Sequence, residues 1–92
     1  MTKRGVIPEG VPEIEVPRGV DLSSYLRRVV FDNGRKRPYS YSVGGEGLFG
    51  IFGTTVLEVK YLDGTSKILR FPGYRRRDVI LTLTELYRIM EN

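Results

Sequence analysis

The chain has 92 residues, room for one compact domain with a modest core, and its 40% hydrophobic and 28% charged content is that of a folded protein. It has no cysteine and no histidine, which excludes disulfides, a Cys/His zinc site and a Ser-His-Asp triad, and no apolar run is long enough to span a membrane. Fifteen Lys and Arg against eleven Asp and Glu leave a net charge of +4, and eleven of the fifteen are arginine, the side chain that forks onto phosphates and stacks on aromatic faces.

Without His or Cys, catalysis would fall to Asp, Glu, Lys, Tyr or Ser. The carboxylates are scattered along the chain, so the expectation is a non-enzyme with no cofactor and no metal. Met1-Thr2-Lys3-Arg4 is not followed by the apolar stretch of a secretory signal, which predicts a cytoplasmic location. Glutamine is absent and asparagine occurs only at Asn33 and Asn92, a composition that a thermophile favours.

Residues 1–20 contain Pro8, Pro12 and Pro17 with Val and Ile between them. Proline removes an amide donor, so this stretch reads as an extended Pro-rich arm ahead of a single compact domain over residues 21–92. Val11, Ile14 and Val16 are placed to dock along an edge of this domain or of a partner. A helix follows, with Asp21 as its N-cap, Leu22, Tyr25, Leu26, Val29 and Val30 as its apolar stripe, and Asn33-Gly34 as its stop. Tyr39, Tyr41 and Val43 alternate with Ser40 and Ser42, which predicts a half-buried strand behind Pro38.

Gly45-Glu46-Gly47-Leu48-Phe49-Gly50 is a literal G-x-G-x-x-G. A dinucleotide-binding turn of this kind opens a helix, whereas here Ile51-Phe52-Gly53 leads into a strand. Between two strands the pattern resembles the glycine-rich loop of protein kinases, and Leu57-Glu58-Val59-Lys60 is similar to the strand that carries their phosphate-binding lysine. The resemblance spans only about a fifth of the chain, Phe52 stands where that pattern has valine, and no His-Arg-Asp or Asp-Phe-Gly follows. Glycine at 44, 47, 50 and 53 instead predicts a bent inner strand, or a loop closing over the core.

Thr54 to Leu62 and Thr65 to Phe71 are β-rich runs joined by Asp63-Gly64, a pair suited to a two-residue type I′ turn. That closure sets Leu62 opposite Thr65 and Val59 opposite Ile68, and gives Leu57, Val59, Tyr61 and Ile68 one core face. It also sets Lys60 directly against Lys67, at a cost. Pro72-Gly73 ends the sheet. A C-terminal helix starts near Asp78 with Val79, Ile80, Leu83, Leu86, Tyr87 and Met90 as its stripe. Leu81 and Ile89 widen that stripe, which predicts a sandwiched helix or a homo-oligomer. The expected fold is α+β: a small antiparallel sheet of three or four strands, including the 54–71 hairpin, packed with an N-terminal and a C-terminal helix.

The positive charge gathers in two places, residues 21–45 and residues 74–92. Arg35, Lys36 and Arg37 lead into Tyr39 and Tyr41, and Tyr74 precedes Arg75, Arg76 and Arg77 ahead of a helix. Arginines at that position oppose the helix dipole, an arrangement that invites an anion. If the two clusters converge they form a nucleic-acid site, with the basic groups on phosphates and Tyr39, Tyr41 and Tyr74 stacking bases, single strands favoured. Arg27 and Arg28 would extend it. The competing expectation is a protein-interaction or oligomerisation module that uses the arm and the apolar C-terminal helix. A glycine-phenylalanine loop beside arginines, with a terminal hairpin and helix, is also similar to the end of a pleckstrin-homology-like domain. That likeness implies an acidic lipid partner, but too few strands are visible for that fold.

Overall fold

The structure, a computed structural model, describes residues 11–46 and 54–90. The elements run β1 (Glu13–Glu15), α1 (Leu22–Val29), β2 (Ser40–Glu46), β3 (Thr54–Lys60), β4 (Ser66–Pro72) and α2 (Arg76–Met90). The strands form one sheet in the order β1-β4-β3-β2. β2, β3 and β4 are an antiparallel meander, and β1 joins β4 in parallel. The fold is α+β, as expected, with the sheet mixed because of β1. Among the described residues no helix is long and apolar enough to cross a membrane, and no group of acidic side chains is placed to hold a metal ion.

α1 begins where its capping chemistry predicts. The Asp21 carboxylate accepts the Ser24 N–H at 3.0 Å, and this bond holds its pKa below the ordinary 3.8. Tyr25, Leu26 and Val30 turn inward and are buried. After Phe31 the chain reverses through a one-turn 3₁₀ segment, Asp32–Gly34. Here φ is +49° at Asp32, +56° at Asn33 and +90° at Gly34, so the Asn-Gly stop recruits the preceding aspartate into the left-handed region.

Both helices lie on one face of the sheet. Leu57 and Val59 of β3 and Leu69 and Phe71 of β4 meet Leu26, Val30 and Phe31 from the first half and Val79, Leu83 and Leu86 from α2 in a single cluster. The opposite face carries Ser42, Glu58, Lys60 and Arg70.

The described part of the arm belongs to this architecture. Pro12 accepts the Ile68 N–H at 3.0 Å, the Val16 N–H donates to Arg70 at 2.8 Å, and Val16 is buried in the core with Ile14 packed against it. Docking therefore occurs on this chain's own sheet, and a boundary at residue 21 does not separate arm from domain between residues 11 and 20. Residues 1–10 lie outside the described residues. So do positions 47–53 of the glycine-rich segment, which include Gly47, Leu48, Phe49, Gly50, Ile51, Phe52 and Gly53. Gly44 and Gly45 lie on β2, an edge strand and not an inner one.

The hairpin forms, but with a register one residue away from the expected one. Lys60 pairs with Ser66, Val59 with Lys67 and Leu57 with Leu69. Tyr61 accepts the Gly64 N–H at 3.0 Å and donates its own N–H to Thr65 at 2.9 Å, so the loop has three residues, with only Gly64 at positive φ (+92°). The Asp63 carboxylate selects it by accepting both the N–H (2.9 Å) and the hydroxyl (2.6 Å) of Thr65. The shift removes the Lys60–Lys67 clash and turns Lys67, Leu69 and Phe71 toward the helices, while Ile68 faces the other way. α2 likewise starts at Arg76 and not near Asp78. It is not sandwiched: Val79, Leu83 and Leu86 are buried, while Leu81 and Ile89 are exposed.

Candidate nucleic-acid interface

The two basic clusters do not converge. β4 and α2 run in opposite directions, and each is about 20 Å long at about 3.3 Å per strand residue and 1.5 Å per helical residue. Arg75 caps the start of α2, where its carbonyl accepts the Asp78 and Val79 N–H groups. Arg37 lies at the far end of the same helix, its guanidinium 5.4 Å from the centre of the Tyr87 ring. The separation follows from topology: the 35–37 segment feeds the first residue of β2, level with the β3–β4 turn, and the 75–77 segment leaves the opposite end of β4.

At the end near the turn, three basic residues have three different surroundings. Lys36 is held within the fold: its ammonium lies 3.0 Å from the Asp63 carboxylate, donates to Thr65 at 3.4 Å and stands 4.4 Å over the Tyr61 ring. Those contacts, with the Thr65 hydrogen bonds leading, lower the Asp63 pKa to about 2. Arg35 is open, with its side chain 75% exposed and a long ion pair to Asp32 at 3.7 Å. Arg37 is stacked on Tyr87. Arg27 and Arg28, in the last turn of α1, sit at this same end, with Arg28 over the ring of Tyr25.

The tyrosines divide in the same way. Tyr39, just ahead of β2, is 60% exposed, and Tyr41, on the helix-bearing face of β2, is 36% exposed. Tyr41 stacks on Tyr87 with ring centres 5.6 Å apart and planes 26° from parallel. Tyr87 is the hub: its hydroxyl donates to Pro38 at 2.9 Å, and it meets Phe31 edge-on at 5.2 Å. Burial pushes its pKa up, so it stays neutral at physiological pH. Tyr39 just ahead of β2, Ser40 and Tyr41 of β2, and Thr84 and Tyr87 of α2 line an open groove of about 420 Å³. Tyr87 escaped sequence reasoning because helical spacing assigned it to the core stripe; the available signal was only that tyrosine keeps a polar end.

Tyr74 is not available for stacking. Its hydroxyl donates to Pro17 at 2.9 Å and accepts the Val20 N–H at 3.2 Å, while its ring meets Phe71 edge-on at 5.9 Å. It clamps the 17–20 segment against β4. Arg75, Arg76 and Arg77 are exposed around the start of α2, and the Arg18 guanidinium joins that end, 3.6 Å from where a Cβ on Gly73 would stand. Among the described residues, the basic end at 35–37 thus carries an aromatic groove. No protein-family model, no curated protein and no solved structure matches this chain.

Proposed function

We propose that this chain binds single-stranded nucleic acid in the groove between β2 and the C-terminal half of α2. Arg35 and Arg37 meet phosphates, and Tyr39 and Tyr41 supply faces for bases. The observation that carries this reading is the exposed Tyr39 ring, set in one groove with a Tyr41–Tyr87 stack and within four residues of Arg35 and Arg37. Base–aromatic stacking contributes about 1–3 kcal/mol per base and tolerates any sequence, whereas an edge groove of this kind has no shape for a duplex. Lys36 positions the turn through Asp63 and does not reach for the ligand. Arg75, Arg76 and Arg77 are too far away to share the same few nucleotides.

The test is fluorescence anisotropy with short single-stranded DNA and RNA and with duplex DNA at two salt concentrations. Single strands are expected to bind more tightly, and Tyr39→Ala to weaken them about 10-fold, within the stacking range above. Two phosphate contacts predict a slope of log affinity against log salt of about −1.4. Replacing Arg75, Arg76 and Arg77 together leaves short-oligonucleotide affinity unchanged. Affinity that follows residues 75–77 and ignores Tyr39 would move the site to the other end and end this reading.

A further inference from the structure

The two edges of the sheet are built differently. β1 has three residues, lies between Pro12 and Pro17, and carries Glu13 and Glu15, all devices that stop an exposed edge from pairing. β2 has seven residues, and neither charge nor proline interrupts positions 39–45. Its main-chain direction follows from the register. Tyr61 bonds to Thr65, so the odd-numbered residues of β3 direct their polar groups to β4 and the even-numbered ones direct theirs to β2. The β2 residues opposite those even-numbered positions are Ser40, Ser42 and Gly44. Tyr41, Val43 and Gly45 therefore point their N–H and C=O groups away from β3, on the side where β2 has no neighbouring strand among the described residues.

We propose that β2 pairs antiparallel with β2 of a second copy of this chain, about a two-fold axis through Ser42. Centring on Ser42 lays positions 40–44 of β2 over their own reverse: Tyr41 meets Val43 and Ser40 meets Gly44, while the Tyr39 N–H stays with Lys60 at 2.9 Å. Faces are preserved, so both helical layers fall on the same side of a continuous sheet. The glycines leave space for the aromatic rings. A Cβ at Gly44 would meet nothing within 4 Å, and one at Gly45 only the Thr54 carbonyl oxygen at 3.8 Å. A strand pair of about five residues falls below the roughly 1,200 Å² of a stable interface, so the dimer forms in a concentration-dependent way. It turns each one-walled groove into half of a shared cleft, floored by the sheet and walled by α2 from both copies. The pairing itself needs no nucleic acid.

The chain has no cysteine, which makes the axis directly testable. The polar groups of Ser42 are used by β3, so Ser42 and its symmetry mate form a non-hydrogen-bonded pair with Cα atoms about 4.5 Å apart, within disulfide range. Ser42→Cys under mild oxidation is expected to give a covalent dimer on a non-reducing gel, while Ser23→Cys, exposed on α1, stays monomeric. Light scattering of the unmodified protein should rise from monomer toward dimer mass with concentration. Ser42→Lys should abolish that rise, and an equal mixture of Ser42→Lys and Ser42→Glu should restore it. A chain that stays monomeric throughout the series, or crosslinking at Ser42 no faster than at Ser23, overturns the proposal.

Discussion

Lys67 lies on the helix-bearing face of β4, and its ammonium donates to the Val29 carbonyl at 2.7 Å. Val29 is the last residue of α1, so this cation meets an orphan carbonyl at the negative end of the helix dipole. Lys67→Met keeps the aliphatic stem and removes the donor; the expected loss is about 1–2 kcal/mol, or several degrees in melting temperature by circular dichroism. Beside it the Tyr61 hydroxyl donates to Val30 at 2.6 Å, and burial pushes its pKa up to about 12. A raised pKa means that the folded state holds the proton more tightly than the unfolded state does. Its contribution is complete below pH 10 and is lost as pH rises from about 10 to about 12. Tyr61→Phe should lower stability by about 1–3 kcal/mol at neutral pH, because it strands a buried carbonyl, and should flatten the alkaline decline in melting temperature. An alkaline decline as steep as in the parent chain would show that Tyr61 is not its source. The depressed Asp63 pKa works in the other direction, toward acid: stability is present above the ordinary 3.8 and is lost as pH falls toward about 2.

β1 is the element whose weight the sequence hides. Three prolines in twenty residues announce an extended segment, and that much was legible, as were the capped helix α1 and the hairpin. What could not be read was that Pro12 and Pro17 bracket a three-residue strand and that Val16 closes the core beside it. Parallel pairing with β4 depends on a contact more than fifty residues away along the chain. Deleting residues 1–16 removes Val16 and Ile14 from the core, at about 1.5–3 kcal/mol per buried aliphatic side chain, and frees the amides of β4. The expected outcome is a melting temperature lowered by more than 10 °C on the scale of about 4–8 °C per kcal/mol, which a thermal melt of the truncated chain checks. The register of the hairpin was illegible for a different reason. Asp-Gly serves both two-residue and three-residue loops, and only the Asp63–Thr65 bonds decide between them.

Across the whole molecule, charge and aromatic surface are distributed unequally. A basic turn at residues 35–37 leading into a tyrosine-bearing strand could be read from the sequence. Its true companion, Tyr87, could not, because one helical spacing serves a core and a platform equally well. Nor could spacing along the chain show that residues 75–77 leave β4 at the end away from the groove. A separation of about 20 Å is twice the screening length of about 8–10 Å at physiological salt, so the charges at the two ends act independently. Under the proposed function a short oligonucleotide is therefore expected to engage the groove alone. One long enough to run along the molecule also reaches Arg75, Arg76 and Arg77, and the salt slope should steepen from about −1.4 toward about −3.5 as five phosphates replace two. Measuring the slope for a ladder of oligonucleotide lengths checks this, and a slope independent of length would mean that the second end takes no part.

The left-handed turn after α1 has a chemical consequence of its own. Asparagine followed by glycine is the dipeptide most prone to lose its side-chain amide, a reaction in which the glycine nitrogen closes a succinimide ring on the asparagine side chain. Here the Gly34 nitrogen donates its hydrogen to Phe31 at 2.8 Å, and Asn33 is fixed at φ +56°, so the attacking atom is engaged and the ring cannot close without opening the turn. Conversion of Asn33 to aspartate or isoaspartate, followed by mass spectrometry at elevated temperature, thus becomes a clock that runs only while this corner is unfolded.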